Sequence, residues 1–310
     1  MAAAQQRPSS RRGPSMQWGR LKPAATDPLD AYGLPSKGET RLNDFRAQES
    51  YYNKIVERYM KFCAASGGGE TLDKQFAALA REPSGSQSLQ PTDPNTTTTA
   101  NPIPPPRNPT LELSTILLAM RKLREAILSS HRLDRFSQRC YIFIIRASIL
   151  VKAWESYLPA LRYLLHAIHP ATALSPPEYN EFAGYHLLDL ACRQHDLTAA
   201  FHAKSRLCYG YRDPTGRVER VLRALVMDDW VGFWRVGRAV DGYQKRMLEW
   251  REEEMRTHAL KCLGRSYLSV EKGFVERSAG GRGWAELVRE GVGWELVDGE
   301  RVVIRRPKVK

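Results

Sequence analysis

GWELVDGERVVIRRPKVK, residues Gly293 to Lys310, reads differently from everything before it. Asp298-Gly299 is a strong turn signal between two short alternating stretches, so this end of the chain predicts a β-hairpin behind segments of helical periodicity. A two-residue loop would set Leu296 opposite Arg301 and mix polar with apolar side chains on both faces. A three-residue loop, Asp298-Gly299-Glu300, sorts them. Trp294, Leu296, Val302 and Ile304 then share one face, and Glu295, Val297, Arg301, Val303 and Arg305 the other. An isolated two-stranded hairpin is marginal in water, so the apolar face must rest on neighbouring helices.

Those helices lie immediately upstream. Ser269 is the expected N-cap of a helix over VEKGFVERSAG, Gly280-Gly281 and Gly283 mark a turn, and WAELVREG is a two-turn helix leading into the hairpin. Helix, short strand, helix, helix, hairpin is the order of a winged helix, with the hairpin as its wing. The unit is expected over 259–308, basic tail included.

Working further back, residues 111–258 form a succession of apolar-striped segments broken at HPATALSPP, YRDPTG and Asp241-Gly242. LELSTILLAMRKLREAILSSH, RLDRFSQRCYIFIIRASILVKA, ESYLPALRYLLHAIH, PEYNEFAGYHLLDLACRQH and LTAAFHAKSRLCYG predict helices, as do RVERVLRALVMDD, DDWVGFWRVGRAV and the long GYQKRMLEWREEEMRTHALKCLGRSY. Antiparallel helical hairpins stacked in an array satisfy this pattern, each helix burying its stripe on its neighbours. The fold class is therefore mostly α: a helical-hairpin array followed by a C-terminal winged helix. Ahead of it, 40–81 predicts an N-terminal helical segment (TRLNDFRAQESYYNKIVERYMKFC, then ETLDKQFAALAR after SGGG). Residues 82–110, rich in Pro and Thr, predict a flexible linker. Residues 1–38 predict a disordered leader in which Trp18, Leu21, Tyr32 and Leu34 could dock.

This succession resembles the PCI-domain family, the scaffold module of the proteasome lid, the COP9 signalosome and translation initiation factor three. The resemblance rests on EYNEFAGYHLLDLACRQHDLTAAF, VERVLRALVMDDWVGFWRV and ALKCLGRSYLSVEKGFV, and covers roughly Leu111 to Lys308. It is nearest the small subunits: the eighth signalosome subunit, the lid's small non-ATPase subunit and the k subunit of the initiation factor. GANP-type mRNA-export proteins share the EF-x-x-Y-x-LL, FW and R-x-x-AL-x-x-L-x-x-SY grammar. The resemblance implies PCI architecture and a non-catalytic scaffold subunit acting in nucleus and cytoplasm. It also implies other PCI-domain subunits as partners, with a possible RNA contact as the export-type alternative.

Composition agrees with such a protein. The 42% hydrophobic content supports a sizeable core, and no run of apolar residues is long enough to span a bilayer. MAAAQQRPSSRRGPS lacks the apolar centre of a secretory signal, and five scattered cysteines without C-x-x-C predict reduced thiols in an intracellular setting. The net charge of +13 is partly concentrated at the two ends, which suits nucleic acid or an acidic partner.

No catalytic constellation is evident in the sequence. No phosphate-binding loop, dinucleotide fingerprint or G-x-S-x-G occurs, and HAIHP has the wrong spacing for the zinc motif of deubiquitinating subunits. His166 with His169, and Cys192 with His195, are the pairs whose spacing could put two metal ligands on one helical face; helix-end histidines are the plainer reading. No enzyme, cofactor, metal or small-molecule substrate is therefore expected. Trp230, Phe233 and Trp234, spaced i, i+3, i+4, are expected as core between array and winged helix. The expected partner-binding residues are Trp294, Val303, Arg305, Arg306 and Lys308, on the wing and its tail, where an open strand edge or phosphate contacts would act.

Overall fold

A computed structural model describes residues 27–65, 109–206 and 211–306. The helix expected over ETLDKQFAALAR, nearly all of the 82–110 linker, and Lys308 with Lys310 lie outside the described residues.

The molecule is mostly α-helical with a small three-stranded sheet near its C-terminal end. Helix α1 (Phe45–Ala65) buries Gln48, Tyr51, Ile55, Tyr59 and Phe62, a stripe at helical spacing laid against α2 (Pro109–Ser129). The array continues through α3 (Arg135–Leu150), α4 (Trp154–Tyr163) and α5 (Pro176–Leu188). Next come α6 (Leu197–Arg206), α7 (Arg217–Val226), α8 (Trp230–Gly237) and α9 (Gly242–Leu248). Side-chain caps set several starts. Asp134, Asp229 and Asp241 accept from the backbone N–H three residues on, and Ser175 with Glu178 forms a capping box ahead of Pro176.

Three expectations are corrected here. Residues 27–38 were expected within the disordered leader, yet they pack on the array. Leu29 is fully buried, its carbonyl accepts from Tyr51 Oη at 2.7 Å and from Lys122 Nζ at 3.2 Å, and the Tyr32 ring stands edge-on to Tyr51. The long helix expected over Gly242–Tyr267 is two helices, α9 and α10 (Glu252–Ser266). The chain turns between them, bringing Trp250 onto the core with Lys152 Nζ 4.4 Å from its ring centroid. Ser269 is no N-cap: it begins strand β1 (Ser269–Glu271), and helix α11 (Lys272–Ser278) starts behind Glu271. In addition, α4 and α5 each run on into a π-helical turn, Leu164–Ile168 and Asp189–Arg193.

A clamp joins α1 to the array. Arg132, nearly buried after α2, lies between the rings of Phe45 and Phe136 at 4.3 and 4.1 Å. Its guanidinium donates to Gln48 Oε1, the Phe45 carbonyl, Glu49 and Asp134. All three of its nitrogens donate, both Nη atoms to α1 and Nε to Asp134, which makes this one of the most specified contacts in the fold.

After α11 come α12 (Trp284–Arg289), β2 (Glu295–Val297) and β3 (Arg301–Val303). The hairpin register is the three-residue one: Leu296 faces Val302 and Val297 faces Arg301, with Asp298 and Gly299 at φ 54° and 75°. β3 is central, paired on its other side with β1. A second, small core forms from Leu263, Val275, Ala279, Leu287 and Val302, with Trp294 and Ile304 packed onto it. Helix α10 belongs to both cores, giving Met255 to the larger and Leu263 to the smaller.

Candidate partner-binding surface

The direction of backbone groups along β3 decides which groups of the edge strand β2 face outward. Ile304 N donates to the Leu268 carbonyl, and the Glu300 carbonyl accepts from Lys272 N, so the even-numbered residues of this strand bond towards β1. Arg301 and Val303 therefore bond towards β2, engaging Val297 and Glu295. On the β2 side this leaves Leu296, whose N–H and C=O point away from the sheet with no backbone partner among the described residues.

Around this edge the sequence-predicted residues separate. Trp294 is half-buried on the inner face, with its Cζ2 3.5 Å from where a Cβ on Gly264 would stand, so it holds the hairpin to α10. Val303 is half-buried on the opposite face. Arg305 is exposed but donates from Nη2 to the Arg265 carbonyl at 2.7 Å, and Arg306 pairs with Glu295 at 2.5 Å, tying the departing chain to β2. Val303, Arg305 and Arg306 therefore follow one another along the tail side, while Trp294 serves the small core. Leu296, inward by alternation, is 37% exposed because it stands on an edge strand.

The aromatic group on α8 forms the joint between the cores. Phe233 and Trp234 are buried, and Trp234 Nε1 donates to the Ser278 carbonyl at 2.9 Å, while Trp230 stays half-exposed. Gly280, at φ +80°, passes so close that a Cβ there would stand 2.8 Å from the Trp234 ring. Arg256 of α10, also buried, donates to the Ala279 carbonyl and approaches Glu290 at 3.6 Å. Ser278, Ala279 and Arg256 were not singled out by sequence reasoning; the paired glycines at 280 and 281 were the available signal. Beside the joint, Glu249, Glu252, Glu253, Arg256, Arg282 and Glu290 line a cleft of about 510 Å³. Burial and then the neighbouring Glu249 push the Glu252 carboxyl up from its ordinary value.

The two candidate metal pairs do not converge. His169 Nδ1 accepts from Leu174 N at 3.1 Å while stacking on Tyr179, and His166 is exposed on the π-helical turn. Cys192 is fully buried, whereas His195 lies outside beyond the helix end, beside Glu254 at 3.1 Å. Among the described residues, Cys63, Cys140, Cys192 and Cys262 are free thiols, and no helix is long and apolar enough to cross a membrane. Compared with known proteins, the chain matches no protein-family model and no curated protein.

Proposed function

We propose that this chain is a non-catalytic scaffold subunit of PCI type, whose helical array carries a C-terminal winged helix that binds neighbouring PCI subunits in an assembly like the proteasome lid or the COP9 signalosome. The observation that carries this reading is the C-terminal unit itself. Its order α10, β1, α11, α12, β2, β3 folds into one small core, is fastened to the array through Trp234 and Arg256, and presents at Leu296 a strand edge unpaired among the described residues. A rigidly mounted edge suits a partner that adds a strand to it through main-chain hydrogen bonds. Arg305 and Arg306 already serve acceptors within the unit, which favours a protein neighbour over phosphates as their role.

The test is a comparison of wild-type chain with Leu296→Pro and with a tail variant replacing Arg305, Arg306, Lys308 and Lys310. Proline at an outward-facing N–H is tolerated on an edge strand but removes the donor that an added strand would use. Leu296→Pro is expected to keep the fold, by circular dichroism and thermal melt, and to lose co-purifying PCI subunits identified by mass spectrometry. RNA binding by the isolated chain is expected to be negligible in wild type and tail variant alike. A steep salt dependence of RNA binding in wild type, flattening by about 0.7 log-log unit per lost phosphate contact in the tail variant, would replace the scaffold reading with the export-type one.

A further inference from the structure

An open groove of about 1020 Å³ runs between α8, α9 and α11. Its floor is apolar, with Trp230, Val231, Phe233 and Val240 on the array side and Phe274 on the other. Val231 is 45% exposed. The groove also carries three exposed cations, Arg238, Lys245 and Arg277. Arg277 reaches Glu271 only at 3.9 Å, and neither Arg238 nor Lys245 is ion-paired among the described residues. Against them stands one acid among the lining residues, Glu252.

Small-molecule pockets end near ~1,000 Å³, so an open trough of this size suits several residues of extended chain. Exposed cations beside half-exposed aromatic and aliphatic surface complement a segment offering an apolar side chain between carboxylates. The chain's own N-terminal residues are the wrong occupant, because Arg7, Arg11, Arg12, Arg20 and Lys22 would meet like charge. A single nucleic-acid strand needs open aromatic faces to stack on, but here Phe233 and Trp234 are buried, the latter with its Nε1 hydrogen-bonded, and Trp230 and Phe274 are only half-exposed. We propose that this groove binds a short acidic segment of a partner protein, anchored by an aromatic or large aliphatic side chain against Trp230 and Phe274, with flanking carboxylates on Arg238, Lys245 and Arg277. The groove shares no lining residue with the free edge of β2, so this site and the winged-helix interface stand or fall separately.

The experiment is selection of a random peptide library displayed on phage against the full chain, followed by fluorescence polarisation with the enriched peptide. Enriched sequences are expected to combine Asp or Glu with Trp, Phe or Leu. Their affinity is expected to fall about tenfold or more in Arg238→Glu combined with Lys245→Glu, and to weaken with salt in wild type. Both positions are exposed, so an unchanged thermal melt verifies that the double variant is folded. The proposal is overturned if no peptide is enriched, if enriched peptides lack acids, or if the double variant binds them equally well. It is likewise overturned if a single-stranded oligouridylate binds more tightly than the peptides and loses affinity in the same variant, which would make the groove an RNA site.

Discussion

Gly280 and Gly281 provide adjacent positions at which one substitution separates two costs. Both have left-handed backbones, φ +80° and +86°. A Cβ on Gly281 meets nothing within 4 Å, whereas one on Gly280 would stand 2.8, 2.9 and 3.0 Å from Cη2, Cζ3 and Cζ2 of Trp234. That ring cannot slide aside freely, because its Nε1 is hydrogen-bonded to the Ser278 carbonyl. Gly281→Ala is therefore expected to cost only the left-handed penalty of about 1–2 kcal/mol. Gly280→Ala adds overpacking of about 1–3 kcal/mol, for a total of about 2–5 kcal/mol. Urea melts followed by circular dichroism measure both, and each kcal/mol corresponds to about 2–4 °C in Tm for a chain of this size. Trp234→Ala alone is expected to cost about 3–5 kcal/mol. In that background the Gly280→Ala penalty should shrink to that of Gly281→Ala, giving a coupling of about 1–3 kcal/mol. Equal destabilisation by the two alanines, or a double mutant that is merely additive, would refute the seating of Trp234 against the Gly280 turn.

Two further substitutions probe the two cores. Trp294→Ala is expected to destabilise by about 2 kcal/mol, below the ~3–5 kcal/mol of a fully buried tryptophan, because the ring is only half-buried over Gly264; an unchanged urea midpoint would mean that the hairpin does not lean on α10. Asp189 is buried, and its carboxylate accepts from Arg193, Tyr157 and Gln194. Burial pushes this carboxyl up, but the hydrogen bonds together outweigh it and hold it below the ordinary aspartate value. Asp189→Asn is expected to cost about 2–4 kcal/mol, towards the lower end because Arg193 keeps some solvent contact. Since the folded value is depressed, the advantage of wild type over Asp189→Asn is present above about pH 4 and disappears as pH falls through the folded value. A difference between the two that stays constant from neutral pH into acid would contradict the assignment.

What could be read from the chain was whatever is written in local periodicity. Alternation alone set Leu296 opposite Val302, because the two-residue loop scrambled both faces, and i, i+3, i+4 spacing put Phe233 and Trp234 in the joint. What escaped depends on partners distant in sequence. Ser269–Glu271 is too short to announce a strand and becomes one by pairing with Arg301–Val303. Leu29 sits among proline and polar residues that read as disorder, and only the Tyr51 hydroxyl and Lys122 ammonium reveal it as an anchor. The break between α9 and α10 follows from Trp250 seeking the core, against a sequence rich in helix formers. Of the wing's expected partner-binding residues, Trp294 turned inward, and Arg305 and Arg306 found acceptors that no spacing rule exposes. The groove is made by surfaces from α8, α9 and α11, so no single segment carries its signature.

The Arg132 clamp makes the docking of α1 depend on one side chain far from it in sequence. An ammonium in place of the Arg132 guanidinium would forfeit the planar fork that reaches Gln48, Glu49 and Asp134 at once, and weaken the stacking on Phe45 and Phe136. Evolutionary freedom should therefore be small at the single side chain that joins α1 to the array.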